Sequence, residues 1–125
     1  MSRTNFNTYL GFEPRLSQPG KTVIEVTLAP HLLNRAGYLH GGAMMTLMDT
    51  LMGYAATSLL HEGESIVTSS MTTHFLEPVS AGEIFGEGAV IADNGSYLLT
   101  EASLKDAQGQ TLALSRGQFS RRRQT

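Results

Sequence analysis

The sequence predicts an α+β domain in which an antiparallel sheet of five or so strands packs against one long, buried helix. Two observations support this. A single long apolar segment, Ala43 to Leu60, follows one alternating segment and precedes four more strand-like ones. The later segments are joined by short links, and short links make neighbouring strands antiparallel. At 125 residues the chain is long enough for one domain, 1–125, and too short for two.

Arg3 to Leu10 reads as a short helix. From Lys21 to Leu28, Ile24, Val26 and Leu28 alternate with Glu25 and Thr27, the pattern of a half-buried strand. Pro30 to Tyr38 has the breakers of a loop: Pro30, Asn34 and Gly37. His40-Gly41-Gly42 then leads into a helix from about Gly42 to Leu60, with Gly63 as the stop. Methionine and leucine surround most of its circumference, so it should be wrapped by other elements. At about 100° per residue, Thr46, Thr50, Gly53 and Thr57 form a narrow stripe with Asp49 about 60° from its centre. Strand character follows at Ser65 to Leu76, Glu83 to Ala92, Tyr97 to Lys105 and Thr111 to Ser120. The turns between them are Pro78 to Gly82, the hairpin signal Asn94-Gly95, and Asp106 to Gly109. Residues 120–125 read as a basic tail.

Composition removes several classes of function. The formal net charge is −2, with no basic face of the kind nucleic acid requires. Arg121-Arg122-Arg123 is either a solvated tail or a clamp for ligand phosphates. The chain has no cysteine, which excludes disulfides, thiolate catalysis and cysteine-ligated zinc. His31, His61 and His74 lack metal-site spacing, so no metal is expected. Met1 to Leu10 lacks the apolar core of a signal peptide. Asp49 inside the apolar segment would be costly in lipid. A cytoplasmic protein with no membrane segment is expected.

Asp49 is the chemical anomaly, because a carboxylate on an apolar helix must be paired, hydrogen-bonded or functional. A structural Asp and a catalytic one both fit. Gly41 and Gly42 leave backbone N–H groups open at a helix start, where the dipole favours negative charge. That equipment suits an oxyanion; a tight loop-to-helix turn accounts for it equally. His40 can be a cap or a catalyst, and the methionines core or pocket lining. Gly42 and Asp49 are about 10 Å apart along the axis, too far to act on one carbonyl from the same chain. A facing subunit could close the gap. No phosphate-binding loop, dinucleotide fingerprint or G-x-S-x-G elbow is present.

The run Asn34-Arg35-Ala36-Gly37-Tyr38-Leu39-His40-Gly41-Gly42 through Leu47-Met48-Asp49 resembles the signature of the PaaI-like branch of the hotdog-fold thioesterases, the phenylacetyl-CoA thioesterase type. Met71 to Pro78, followed by Gly82-Glu83, and Asp106 to Gly109 are similar to further landmarks of that family. The likeness spans about Val23 to Phe119. It implies a hotdog fold, five to six antiparallel strands wrapped around a central helix. It also implies hydrolysis of an acyl-CoA without a metal and with coenzyme A present only as part of the substrate; an apolar pocket lined by methionine and leucine suits medium-chain or aromatic acyl groups. In the implied roles, Asp49 activates water or attacks the thioester, the Gly41 N–H and the Asn34 side chain polarise its carbonyl, and His40 supports that geometry. Thr68, or Ser70 if the alignment slips by two, is the assisting hydroxyl. Gly42, Met45, Met52, Ser70 and Arg116 are candidate substrate contacts.

Family sites lie between subunits of homodimers, often paired into tetramers. Many members carry an Arg or Lys after the hairpin glycine, near the coenzyme's phosphates. Here Gly95 is followed by Ser96-Tyr97, leaving Arg116 or the terminal arginines for that task. A hotdog enoyl-CoA hydratase or dehydratase and a non-catalytic acyl-CoA-binding protein are the alternatives. His-Gly-Gly with Asp nine residues beyond His40 favours hydrolysis.

Overall fold

A computed structural model describes residues 5–123. Six antiparallel strands form one sheet: β1 (Arg15–Gln18), β2 (Lys21–Thr27), β3 (Glu64–Phe75), β4 (Glu83–Asp93), β5 (Tyr97–Asp106) and β6 (Thr111–Arg123). Their order across the sheet is β1-β2-β4-β5-β6-β3. Between β2 and β3 the chain makes a short 3-10 turn, Pro30–Leu32, and a long helix, α2 (Gly41–Thr57). The helix carries the chain across one face to the far edge of the sheet. A five-residue helix, α1 (Phe6–Leu10), precedes β1. This is the hotdog arrangement. Arg3 and Thr4 of the expected first helix, and residues 124–125 of the expected tail, lie outside the described residues.

The core is the layer between α2 and the sheet. Leu47, Met48, Leu51, Met52, Ala55 and Ala56 meet Ile24, Ile84, Leu98 and Leu104, all nearly free of solvent. Close approach is possible because β4 presents glycines there. A Cβ at Gly88 would stand 2.8 Å from the Leu51 carbonyl oxygen and 2.7 Å from the Thr22 Oγ1. The Thr22 hydroxyl uses that proximity to donate to the Leu51 carbonyl at 2.7 Å. The helix is thus fastened to β2 by a buried hydrogen bond. It ends at Thr57, short of Leu60, because the Ser58 hydroxyl donates to the Ala55 carbonyl and accepts the Gly20 N–H.

Two further elements differ from the sequence reading. Strand β1 was not expected, since its four residues are all exposed and show no alternation. Residues 120–123 are not a tail: β6 continues to Arg123, paired with the start of β3. The Arg121 side chain, 6% exposed, turns inward and takes both Asp93 oxygens, at 2.7 and 2.9 Å, and the Gly95 carbonyl. Its Nε stands 3.2 Å from Glu64 as an ion pair without hydrogen-bond alignment, and Arg123 holds the other Glu64 oxygen at 3.1 Å. The Arg121 guanidinium, with help from the Gly95 N–H, lowers Asp93 to about 2. Glu64 is lowered as well, first by the His61 N–H and then by Arg121. Among the described residues no helix is long and apolar enough to cross a membrane.

Candidate active site

Asp49 lies on the face of α2 turned away from the core, half-buried in the single chain. Opposite it, β3 presents Thr68, whose hydroxyl donates to Asp49 Oδ1 at 3.0 Å. Strand β3 is the last in the sheet, and its outer edge pairs with no strand among the described residues. A twelve-residue edge left open in this way offers a row of unpaired backbone groups to another chain.

A bulge makes the Asp49–Thr68 contact specific. Thr68 faces Phe119 on β6 and Ser70 faces Gln118, so Ser69 is the extra residue. Its hydroxyl bonds that of Ser120. In a regular strand Thr68 and Ser70 would share a face. With the bulge, Thr68 and Met71 face Asp49, while Ser70 takes the parity of Thr72 and His74 on the opposite side of the sheet. Thr68 is therefore the hydroxyl beside the carboxylate, and Ser70 is not.

The loop before α2 is built by its own polar groups. Asn34 Oδ1 accepts the N–H groups of Ala36 and Tyr38, both at 3.0 Å. That orients the side chain and leaves its NH2 group outward as a donor. The His40 Nδ1 accepts the Gly42 N–H at 2.8 Å, so His40 is the helix N-cap and Gly42 has no free amide to offer a ligand. A Cβ on Gly42 would meet that ring nitrogen at 3.0 Å, so the glycine makes room for the cap. The Gly41 N–H has no hydrogen-bond partner among the described residues. It points from a helix start, where partial positive charge accumulates.

The other expected contacts divide. Met45 lines a hollow of about 590 Å³ beside Asp49, with Phe6, Asn7, Tyr54, Ile66, Met71 and Phe119. Met52 does not: it is fully buried and faces β6, with its Sδ 3.2 Å from where a Gly117 Cβ would stand. Arg116 also lies elsewhere. It is exposed on the far side of the sheet, 3.8 Å from Glu101, in a separate depression that includes Thr72 and His74. Sequence reasoning missed the contributions of α1 and Tyr54. Thr57 was legible from helical spacing, two turns beyond Asp49, whereas Tyr54, five residues on, falls off that stripe. Among the described residues no three His, Cys, Asp or Glu side chains gather as a metal site.

A carboxylate held by a hydroxyl beside an apolar hollow, and a helix-start amide left open, suit attack on a carbonyl. The family model described as the Thioesterase superfamily matches residues 36–113. The chain belongs to that superfamily. Among the members similar to it is the acyl-coenzyme A thioesterase PaaI of Escherichia coli, 30% identical over 90% of this chain and 79% of that protein. The solved PaaI structure superposes with a TM-score of 0.84 at 27% identity, covering 95% of this chain and 85% of that one. The conserved protein PA5202 of Pseudomonas aeruginosa gives a TM-score of 0.88 at 27% identity over 96% and 95% of the two chains. BH2602 of Bacillus halodurans, solved with CoA, shares the fold at 24% identity and a TM-score of 0.88, over 98% of this chain and 82% of that one.

Proposed function

We propose that this thioesterase-superfamily protein hydrolyses medium-chain or aromatic acyl-CoA thioesters in the cytoplasm, using Asp49 as general base. The observation that carries the reading is the Asp49 carboxylate, held by Thr68 at 3.0 Å on the wall of an apolar hollow beside an open sheet edge. Thr68 holds Oδ1 and leaves Oδ2 to take a proton from water. The water oxygen bonds to the thioester carbon, and the resulting oxyanion collapses with loss of the C–S bond. The departing sulfur is protonated, giving free acid and CoA. Only water and the thioester are consumed, and no cofactor enters the balance.

The oxyanion needs donors that one chain cannot bring to Asp49, since Gly41 lies about 12 Å away along α2. A second copy joined through β3 supplies them: its Gly41 N–H and its Asn34 NH2. The site is then complete only in a homodimer, which can pair again into a tetramer. His40 acts at one remove, by capping the helix start that carries Gly41.

The test is Asp49→Asn. Thiol release from a panel of straight-chain and aryl acyl-CoAs should fall at least about a hundredfold, with the circular dichroism spectrum unchanged. A folded variant that hydrolyses the panel at the wild-type rate overturns the proposal.

A further inference from the structure

We propose that the acyl group of the substrate is received between α1 and α2, with Gly53 setting the largest acyl group that fits. This deepens the thioesterase reading and rests on it. The reacting carbon must come within about 3.5 Å of the oxygen that attacks it, so the thioester sits at Asp49. From there the substrate's two ends must part. Coenzyme A carries phosphates, which are costly to bury without partners. The acyl group has no such requirement, and an apolar hollow opens from Asp49 along α2.

Gly53 is one helical turn beyond Asp49 and shares its face. A Cβ at that position would stand 3.6 Å from the Phe119 ring and 4.0 Å from Ile66 Cδ1, both ordinary contact distances. The glycine therefore lets the hollow reach down to the Phe119 ring, otherwise buried in the core, and to the tip of Ile66, which together form its floor. Any longer side chain there would occupy the space. The opposite wall is α1, through Phe6 and Asn7. It is docked where Asn7 Oδ1 comes 2.9 Å from the Thr50 hydroxyl. Phe6, 64% exposed in the single chain, gains an apolar partner when an acyl group enters.

The experiment compares kcat/KM for butanoyl-CoA and octanoyl-CoA in the wild type, Gly53→Leu, Gly53→Ala and Phe6→Ala, read by thiol release. In Gly53→Leu the butanoyl-to-octanoyl ratio should rise at least about tenfold, the scale on which apolar pockets sort substrates by size. Gly53→Ala should move it the same way by less, and Phe6→Ala should also raise it, because removing an apolar wall takes more contact from the longer chain. The alanine variant adds only a methyl at contact distance, so it carries the test if the leucine variant fails to fold. Unchanged ratios in both glycine variants, with the wild type active, overturn this assignment and leave the hydrolase reading standing. A wild type that releases thiol from no acyl-CoA overturns both.

Discussion

Replacing Thr68 by valine keeps the shape of the side chain and removes the hydroxyl that holds Asp49. The bond is 3.0 Å long, its acceptor is a carboxylate, and Thr68 is exposed in the single chain. Hydrogen bonds to charged groups contribute about 1.5–3 kcal/mol when well shielded. Exposure places this one at or just below the lower end, about 1.4 kcal/mol. If the bond keeps the carboxylate aimed at water, its loss appears in kcat as about a tenfold decrease. Thr68→Ser should recover most of the activity by returning the hydroxyl. Ser70→Ala should change nothing, because the bulge turns Ser70 to the other side of the sheet. Steady-state thiol release on purified variants reads all three. Full activity in Thr68→Val, or a tenfold loss in Ser70→Ala, would refute the reasoning.

Mixing inactive Asp49→Asn with inactive Asn34→Ala after reversible dissociation should restore about a quarter of wild-type activity, since half the reassembled dimers carry one intact site; no recovery would place the whole site within one chain. Asp93 is lowered from 3.8 to about 2, so the stability it contributes is complete above pH 3.8 and lost as pH falls through about 2. Acid unfolding followed by circular dichroism should therefore show a shallower loss between those values in Asp93→Asn than in the wild type, although the variant starts less stable; parallel curves contradict this. Gly88→Ala forces a methyl against backbone at 2.8 Å and should cost about 3 kcal/mol, lowering Tm by about 10 °C. Gly86→Ala meets side-chain tips alone, those of Leu51, Ile24 and Leu104, and should cost less by calorimetry.

Legibility in the sequence followed how local the deciding interactions are. Helix α2 and five of the strands were legible, the helix and β2 from their periodicity and β3 to β6 from strand-forming composition between turn signals. Strand β1 does not, since four exposed residues with one hydrogen-bonded neighbour leave no pattern. Arg121 resembled a tail residue because its partners Glu64 and Asp93 are 57 and 28 positions away, and only the folded sheet brings them together. The choice between Thr68 and Ser70 was undecidable from alternation, which puts both on one face; the bulge that separates them has no signature in Ser-rich sequence. Met45 and Met52 look alike along the chain, yet the direction from which the sheet approaches α2 sends one to the hollow and the other to the core. The family resemblance supplied what spacing could not, namely that Asp49 and the His-Gly-Gly segment belong to one kind of chemistry.

On the proposed mechanism, the seat beneath α2 bears on catalysis from a buried position behind Asp49. Thr22 grips a carbonyl two residues past the acid, and Gly88 lets the helix settle low enough for that grip. Sliding or rolling the helix would break the bond and drive Leu51 into β4 at once. The aim of Asp49 is thereby governed from behind, through the opposite side of its own helix. Tolerance to substitution should consequently be as narrow at these two hidden positions as in the open hollow, with misdirected chemistry as well as lost stability as the symptom.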